Sequence, residues 1–162
     1  MRRLAILSLV AAAVVAAWPA AGTTKSVRQC RASYLRASLF LNGAAGSLLG
    51  GVRVTNRTGK ACSIAGLPKA RLAGVRKKHY ATVFHLGGRG GLPGSGPARV
   101  LHSGWSATTY MQWWNWCGKR RPTIVLVLPR RGGTLRLHPQ GAPRCDAPAK
   151  VTTLVVTPFR KA

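Results

Sequence analysis

Apolar and polar residues alternate in short runs along this chain, and Gly, Pro or Asn punctuate the gaps between them. The runs are Tyr34 to Leu41, Leu48 to Thr55, Ala70 to Val75, Tyr80 to Leu86, Arg99 to Leu101, Ser106 to Cys117, Thr123 to Leu128, Thr134 to Leu137 and Val151 to Thr157. A period of two puts successive side chains on opposite faces, which is the signature of strands with one face on a core. No window repeats apolar residues at helical spacing, and 19 Gly with 10 Pro interrupt the chain too often for long helices. The pattern predicts an all-β domain: an immunoglobulin-like antiparallel β-sandwich of about 7–9 short strands, with a small barrel as the alternative.

The connections carry their own signals. Asn56-Arg57-Thr58-Gly59 after the second run predicts a tight turn, because Asn and Gly accept positive φ. Arg131-Gly132-Gly133 predicts a hairpin in the same way. The segment from Gly87 to Gly96, GGRGGLPGSG, predicts a loop within the domain. A phosphate cradle is a poor fit there: the Gly-Lys-Ser/Thr ending is missing, Pro93 stands where a dinucleotide fingerprint has its third glycine, and no helix pattern follows.

Ahead of the strands, Arg2 and Arg3 precede an apolar run from Leu4 to Trp18, interrupted only by Ser8, that ends at Pro19, Ala20, Ala21 and Gly22. This reads as a secretory signal peptide over residues 1–22, leaving a single secreted domain over 23–162. The run is shorter than the roughly 20 residues that cross a bilayer. The first cysteine, Cys30, lies too far beyond it to take a lipid, and the polar neighbours of a twin-arginine signal are missing. An exported chain meets an oxidising compartment, so Cys30, Cys62, Cys117 and Cys145 predict two disulfides out of three connectivities. The favoured sequential pairing, Cys30 with Cys62 and Cys117 with Cys145, closes two loops of about 30 residues, worth about 3 to 4 kcal/mol each. No two cysteines are close in sequence and none neighbours a His, so neither metal nor cofactor is expected.

Charge narrows the function. The 162 residues hold 26 Lys and Arg against one acid, Asp146, for a net charge of +25, while 46% apolar residues can fill a core. A single carboxylate excludes the paired acids of glycoside hydrolysis, the aspartic dyad, carboxylate calcium cages and two-metal phosphoryl transfer. His79, His85, His102 and His138 are isolated, no Gly-x-Ser-x-Gly elbow occurs, and oxidised cysteines are not nucleophiles, so no enzymatic activity is expected. Local clusters at Arg76-Lys77-Lys78, Lys119-Arg120-Arg121 and Arg130-Arg131 suit an anionic cell-wall polymer or an acidic phospholipid surface, with nucleic acid as the alternative partner. A merely solvated basic surface is the plainer account of the same charge.

The densest aromatic stretch is Trp113-Trp114-Asn115-Trp116. In a strand, Met111, Trp113, Asn115 and Cys117 share one face and Tyr110, Gln112, Trp114 and Trp116 the other. Either Trp113 is buried beside a disulfide while loops cover Trp114 and Trp116, or Tyr110, Trp114 and Trp116 form an exposed platform for a sugar ring or a partner.

The order of these features carries a family resemblance. Cys30 is followed by Leu41-Asn42-Gly43, Ala44-Ala45-Gly46, Val54-Thr55-Asn56-Arg57-Thr58, Cys62 and Ile64-Ala65-Gly66-Leu67-Pro68. Then come Gly104, Ala107, Met111, Trp113, Asn115-Trp116-Cys117, Leu126-Val127-Leu128-Pro129 and Cys145. From Cys30 to Phe159 the chain resembles a family of secreted actinobacterial proteins described as a domain of unknown function. The resemblance implies an exported, disulfide-framed β-sandwich at the cell envelope, with no catalytic residues to carry over; a monomer held there by its charge is the expectation. The chain departs from that family in lacking a lipoprotein signal and in its much greater basicity.

Overall fold

The computed structural model describes residues 26–76, 79–84 and 97–162, with backbone only at Ala44 and at Thr82, Val83 and Phe84. The expected leader over 1–22, Lys77, Lys78, His85 and the glycine-rich segment 87–96 lie outside the described residues. The chain forms a 3-10 turn, Ala32–Tyr34, and the strands β1 (Leu35–Ala44), β2 (Ser47–Asn56), β3 (Cys62–Ile64), β4 (Lys69–Ala73), β5 (Tyr80–Phe84), β6 (Arg99–Leu101), β7 (Ser106–Trp114), β8 (Thr123–Val127), β9 (Thr134–Leu137), β10 (Thr152–Val156) and β11 (Arg160–Lys161). The first sheet has the order β1-β2-β7-β10-β5, with β11 also on β7. The second is β4-β8-β9, and β3 pairs with β6 as a short third ladder. This is the expected all-β sandwich.

Alternation places the core. Val52 and Val54 of β2, Met111 and Trp113 of β7, and Leu154 and Val156 of β10 face Leu72 of β4, Ile124 and Leu126 of β8, and Leu135 and Leu137 of β9 in one buried cluster. Trp113 is the largest fully buried side chain, and its indole N–H donates to Thr152 Oγ1 at 2.9 Å. Thr152 in turn donates to the Trp114 carbonyl at 2.9 Å, so the ring's polar atom is satisfied inside an apolar core.

The two disulfides pair as expected, Cys30 with Cys62 and Cys117 with Cys145. They sit at opposite ends of the sandwich and differ in setting: Cys30 and Cys62 are fully buried in the core cluster, whereas Cys117 and Cys145 are exposed.

The strands differ from the sequence pattern in three places. β3 has only three residues, too few to show alternation, and forms by pairing Cys62 with Leu101 and Ile64 with Arg99 of β6. β11 is severed from β10 by Pro158, which cannot donate to a ladder. Val156 pairs with Met111 and Arg160 with Thr108, so Thr157, Pro158 and Phe159 oppose only Thr109 and Tyr110, a one-residue bulge. Thr109 Oγ1 donates to the Thr157 carbonyl at 2.6 Å across the bulge, and Phe159 turns into the core. Finally, the first sheet is mixed, because β5 runs parallel to β10. β4 ends near the exposed disulfide, Gly74 at φ +74 turns the chain, and β5 therefore starts from the same end as β10.

Because Trp113 fills the centre of the core, Trp113→Ala should lower the unfolding free energy by about 3–5 kcal/mol in urea titrations. Trp113→Phe should lose less, since it keeps most of the volume and leaves only the Thr152 hydroxyl to find another partner.

Candidate functional site

The two most distinctive asparagines turn out to be joints of the fold. Asn56 ends β2 with no exposed surface. Its Oδ1 accepts from the Thr58 amide at 3.0 Å and the Thr58 hydroxyl at 2.8 Å, and its Nδ2 donates to the carbonyls of Lys60 at 2.9 Å and Leu101 at 2.8 Å. The turn is thus an Asx turn held by the side chain. Neither Asn56 nor Gly59 adopts the positive φ on which the sequence argument rested. Asn115 plays the matching part at the other end. It takes φ +59, a conformation Asn tolerates better than most residues, and accepts from the Ala147 amide at 3.0 Å while donating to the Ala147 and Lys150 carbonyls at 3.0 Å. Next to it, the Cys117–Cys145 bridge ties the same two segments covalently.

That left-handed residue also splits the aromatic run. β7 ends at Trp114, so the alternation that would put Trp116 beside Trp114 stops one residue early. Trp116 lies 6.0 Å from Trp113, ring to ring, half-buried against the core, and its indole N–H donates to the Arg120 carbonyl at 3.1 Å. Tyr110, 49% exposed, and half-buried Trp114 stay on the outer face of the first sheet. The structure therefore does not bring Tyr110, Trp114 and Trp116 together on one face. Phe40 and Leu49 are exposed apolar residues on neighbouring strands of the same sheet. Gly51 is paired with Phe40 on one side and Tyr110 on the other, and the Phe40 ring covers it so closely that a Cβ there would stand 3.2 Å from Phe40 Cζ.

The basic clusters are likewise separated. Lys119, Arg120 and Arg121 are exposed in the loop before β8, where Arg121 donates to the Gln140 carbonyl, and exposed Arg76 lies beyond β4 at the same end. Arg130 and Arg131 occupy the β8–β9 turn at the opposite end, at φ 50 and 58, with the Gly132 amide bonded to the Pro129 carbonyl at 3.0 Å. The two arginines are thus the central residues of a primed hairpin turn. Gly132 follows them because the backbone passes close to Cys30, whose carbonyl would lie 2.8 Å from a Cβ there.

What the fold does assemble is a cleft of about 590 Å³ lined by Arg53 of β2, Arg99 and Val100 of β6, Trp105, Ser106 and Lys161 of β11. Asn56 builds it. Besides holding the Leu101 carbonyl, Asn56 accepts the Gly104 amide on its own carbonyl at 2.8 Å, and its amide donates to the Trp105 carbonyl at 3.0 Å. Gly104 at φ +75 makes the reversal that swings Trp105 outward, 56% exposed, with the His102 ring edge-on at 4.8 Å. The Nε of Arg99 is sealed from solvent and makes no hydrogen bond, a donor left unpaired at a cost of about 1–3 kcal/mol. No Asp or Glu lines the cleft. It opens beside a row on the outer face in which Arg53 and Arg160 flank Thr108 from the two neighbouring strands, about 10 Å apart. Sequence reasoning missed Arg53, Arg99, Arg160 and Lys161 because they come from three segments far apart in the chain.

Among the described residues no three of His, Cys, Asp and Glu come together, and Asp146 lies 3.3 Å from exposed Arg144 at the far end of the sandwich.

If Asn56 organises the cleft while Trp105 only lines it, Asn56→Ala should cost about 2–4 kcal/mol by orphaning several buried groups. Trp105→Ala should stay within about 0.5 kcal/mol of the parent, both read by thermal and urea unfolding.

Compared with known proteins, the chain matches no family model, no curated protein and no solved structure.

Proposed function

We propose that this protein is an exported, non-catalytic binding module that is retained at the cell envelope by its charge and engages an anionic polymer or an acidic lipid surface. The observation that carries the reading is the Trp105 cleft, whose lining includes Arg53, Arg99, Lys161 and an exposed aromatic ring together with Ala162, and no Asp or Glu. Two disulfides are typical of extracellular proteins, and the hydrophobic run from Leu4 to Trp18 fits a leader for export. Membership of the secreted actinobacterial family belongs to the same reading, supported by the Asn56 and Trp113-to-Cys117 motifs. The protein acts as a monomer without a cofactor.

A net charge of +25 against a single acid favours any polyanion, so extracellular nucleic acid is the second reading. A binding mode dominated by charge releases counterions, and affinity then falls steeply with salt. The purified mature protein is expected to sediment with acidic phospholipid vesicles or cell-wall polymer and not with phosphatidylcholine vesicles. Its affinity should drop at least about tenfold between roughly 50 and 200 mM salt. A flat salt response refutes the proposal, and DNA winning a competition at matched charge transfers it to the second reading. In producing cells, a high-salt wash of the envelope fraction should release the protein.

A further inference from the structure

The Trp105 cleft has features that surface charge alone does not explain. Its volume, about 590 Å³, matches a small-ligand site and exceeds what a bare phosphate needs. Arg99 of β6, Arg53 of β2 and Lys161 of β11 all line it, so the cleft draws cations from three strands. Guanidinium forks match phosphate oxygens geometrically. Trp105 presents an open face, steadied by the edge-on His102 ring, on which a second ring can lie.

We propose that this cleft binds one sugar phosphate unit of a phosphodiester-linked polymer, with the phosphate held by Arg53, Arg99 and Lys161 and the adjoining sugar ring laid on Trp105. This rests on the reading of a charge-held envelope module and names the contact point within it. A polymer fits better than a free sugar phosphate because cations continue past the cleft, through Arg53 and Arg160 flanking Thr108. A single-stranded nucleic acid fits less well. Stacked bases follow at about 3.4 Å, whereas the next exposed aromatic on this face, Tyr110, lies four strand residues from Ser106, about 13 Å away. The site therefore offers one ring per phosphate contact and not a continuous stacking platform.

The test is a titration of the full mature chain with glucose 1-phosphate, inorganic phosphate and glucose, followed by tryptophan fluorescence and calorimetry. Competition then sets a hexose phosphate polymer against oligothymidylate of equal charge. Glucose 1-phosphate should bind about threefold or more tighter than inorganic phosphate, and glucose should not bind detectably. Trp105→Ala should erase that advantage, a loss of about threefold to tenfold, while leaving phosphate binding unchanged. Arg53→Gln and Arg99→Lys should weaken both phosphate ligands, and Lys119→Gln with Arg120→Gln, at the opposite end, should weaken neither. Near-UV circular dichroism certifies that each variant is folded, and exposed Trp105 is the variant least exposed to that risk. Equal binding of glucose 1-phosphate by Trp105→Ala and the parent overturns the site, as does preference for oligothymidylate. If the parent binds the polymer with a steep salt dependence and no cleft variant matters, the site falls and the charge-held module stands. If it binds no polyanion, both fall.

Discussion

Cationic self-repulsion with almost nothing to offset it governs how this protein holds together. With 26 basic residues and one acid, ion pairs cannot contribute materially, and the one ion pair among the described residues, Arg144 with Asp146, is largely exposed. Cohesion comes instead from uncharged sources. The buried polar side chains are Asn56, Thr108, Thr109, Asn115 and Thr152, all neutral, and no Lys or Arg among the described residues is buried. Two covalent bridges add to the apolar core. The cations stay at the rim, and some cover the second sheet. Val125 faces outward between Arg71 and Arg136 at the same register and yet is 1% exposed, as expected if their aliphatic stems shelter it.

Each end of the sandwich repeats one device: a buried asparagine that gathers loop backbone, set close to a disulfide. At the Asn56 end the gathered loop carries Trp105 and the end of β6, so the joint also shapes the cleft. At the Asn115 end the gathered residues are Ala147 and Lys150, and the nearby Trp116 indole is tied to the Arg120 carbonyl. The first arrangement leaves an open aromatic face; the second closes over its tryptophan. The difference follows from Gly104, which turns Trp105 outward, against the left-handed Asn115, which folds Trp116 inward.

Much of the fold was legible in the chain because alternation is a local property. The limits of β6 and β9 agree with the pattern to the residue, and those of β2, β8 and β10 to within a residue or two. The disulfide pairing was legible because pairing the cysteines in sequence order closes two short loops, with separations of 32 and 28 residues. What escaped was non-local or masked by one residue. Pro158 hid the continuation into β11, three-residue β3 left no periodic trace, and nothing in β5 says which neighbour it will run beside. The candidate site was least legible of all. Runs of Lys and Arg caught the eye, but the fold distributes them to opposite ends, while Arg53, Arg99 and Lys161 meet from strands far apart in sequence. At Trp116 the reading assumed that a strand persists, and a single positive φ at Asn115 cancelled it.

The position of β7 carries a consequence for how the molecule is made. It lies between β2 and β10, and β5 joins the sheet only through β10. A chain emerging N-terminus first therefore presents the β1–β2 hairpin with a bare edge until residue 114 has followed, and β5 has no neighbour until residue 152 arrives. Such long-range closure is slow, and unpaired edges invite association between nascent copies. High like charge on every copy keeps those half-built sheets apart, so the same excess of arginine and lysine that strains the finished domain protects its assembly.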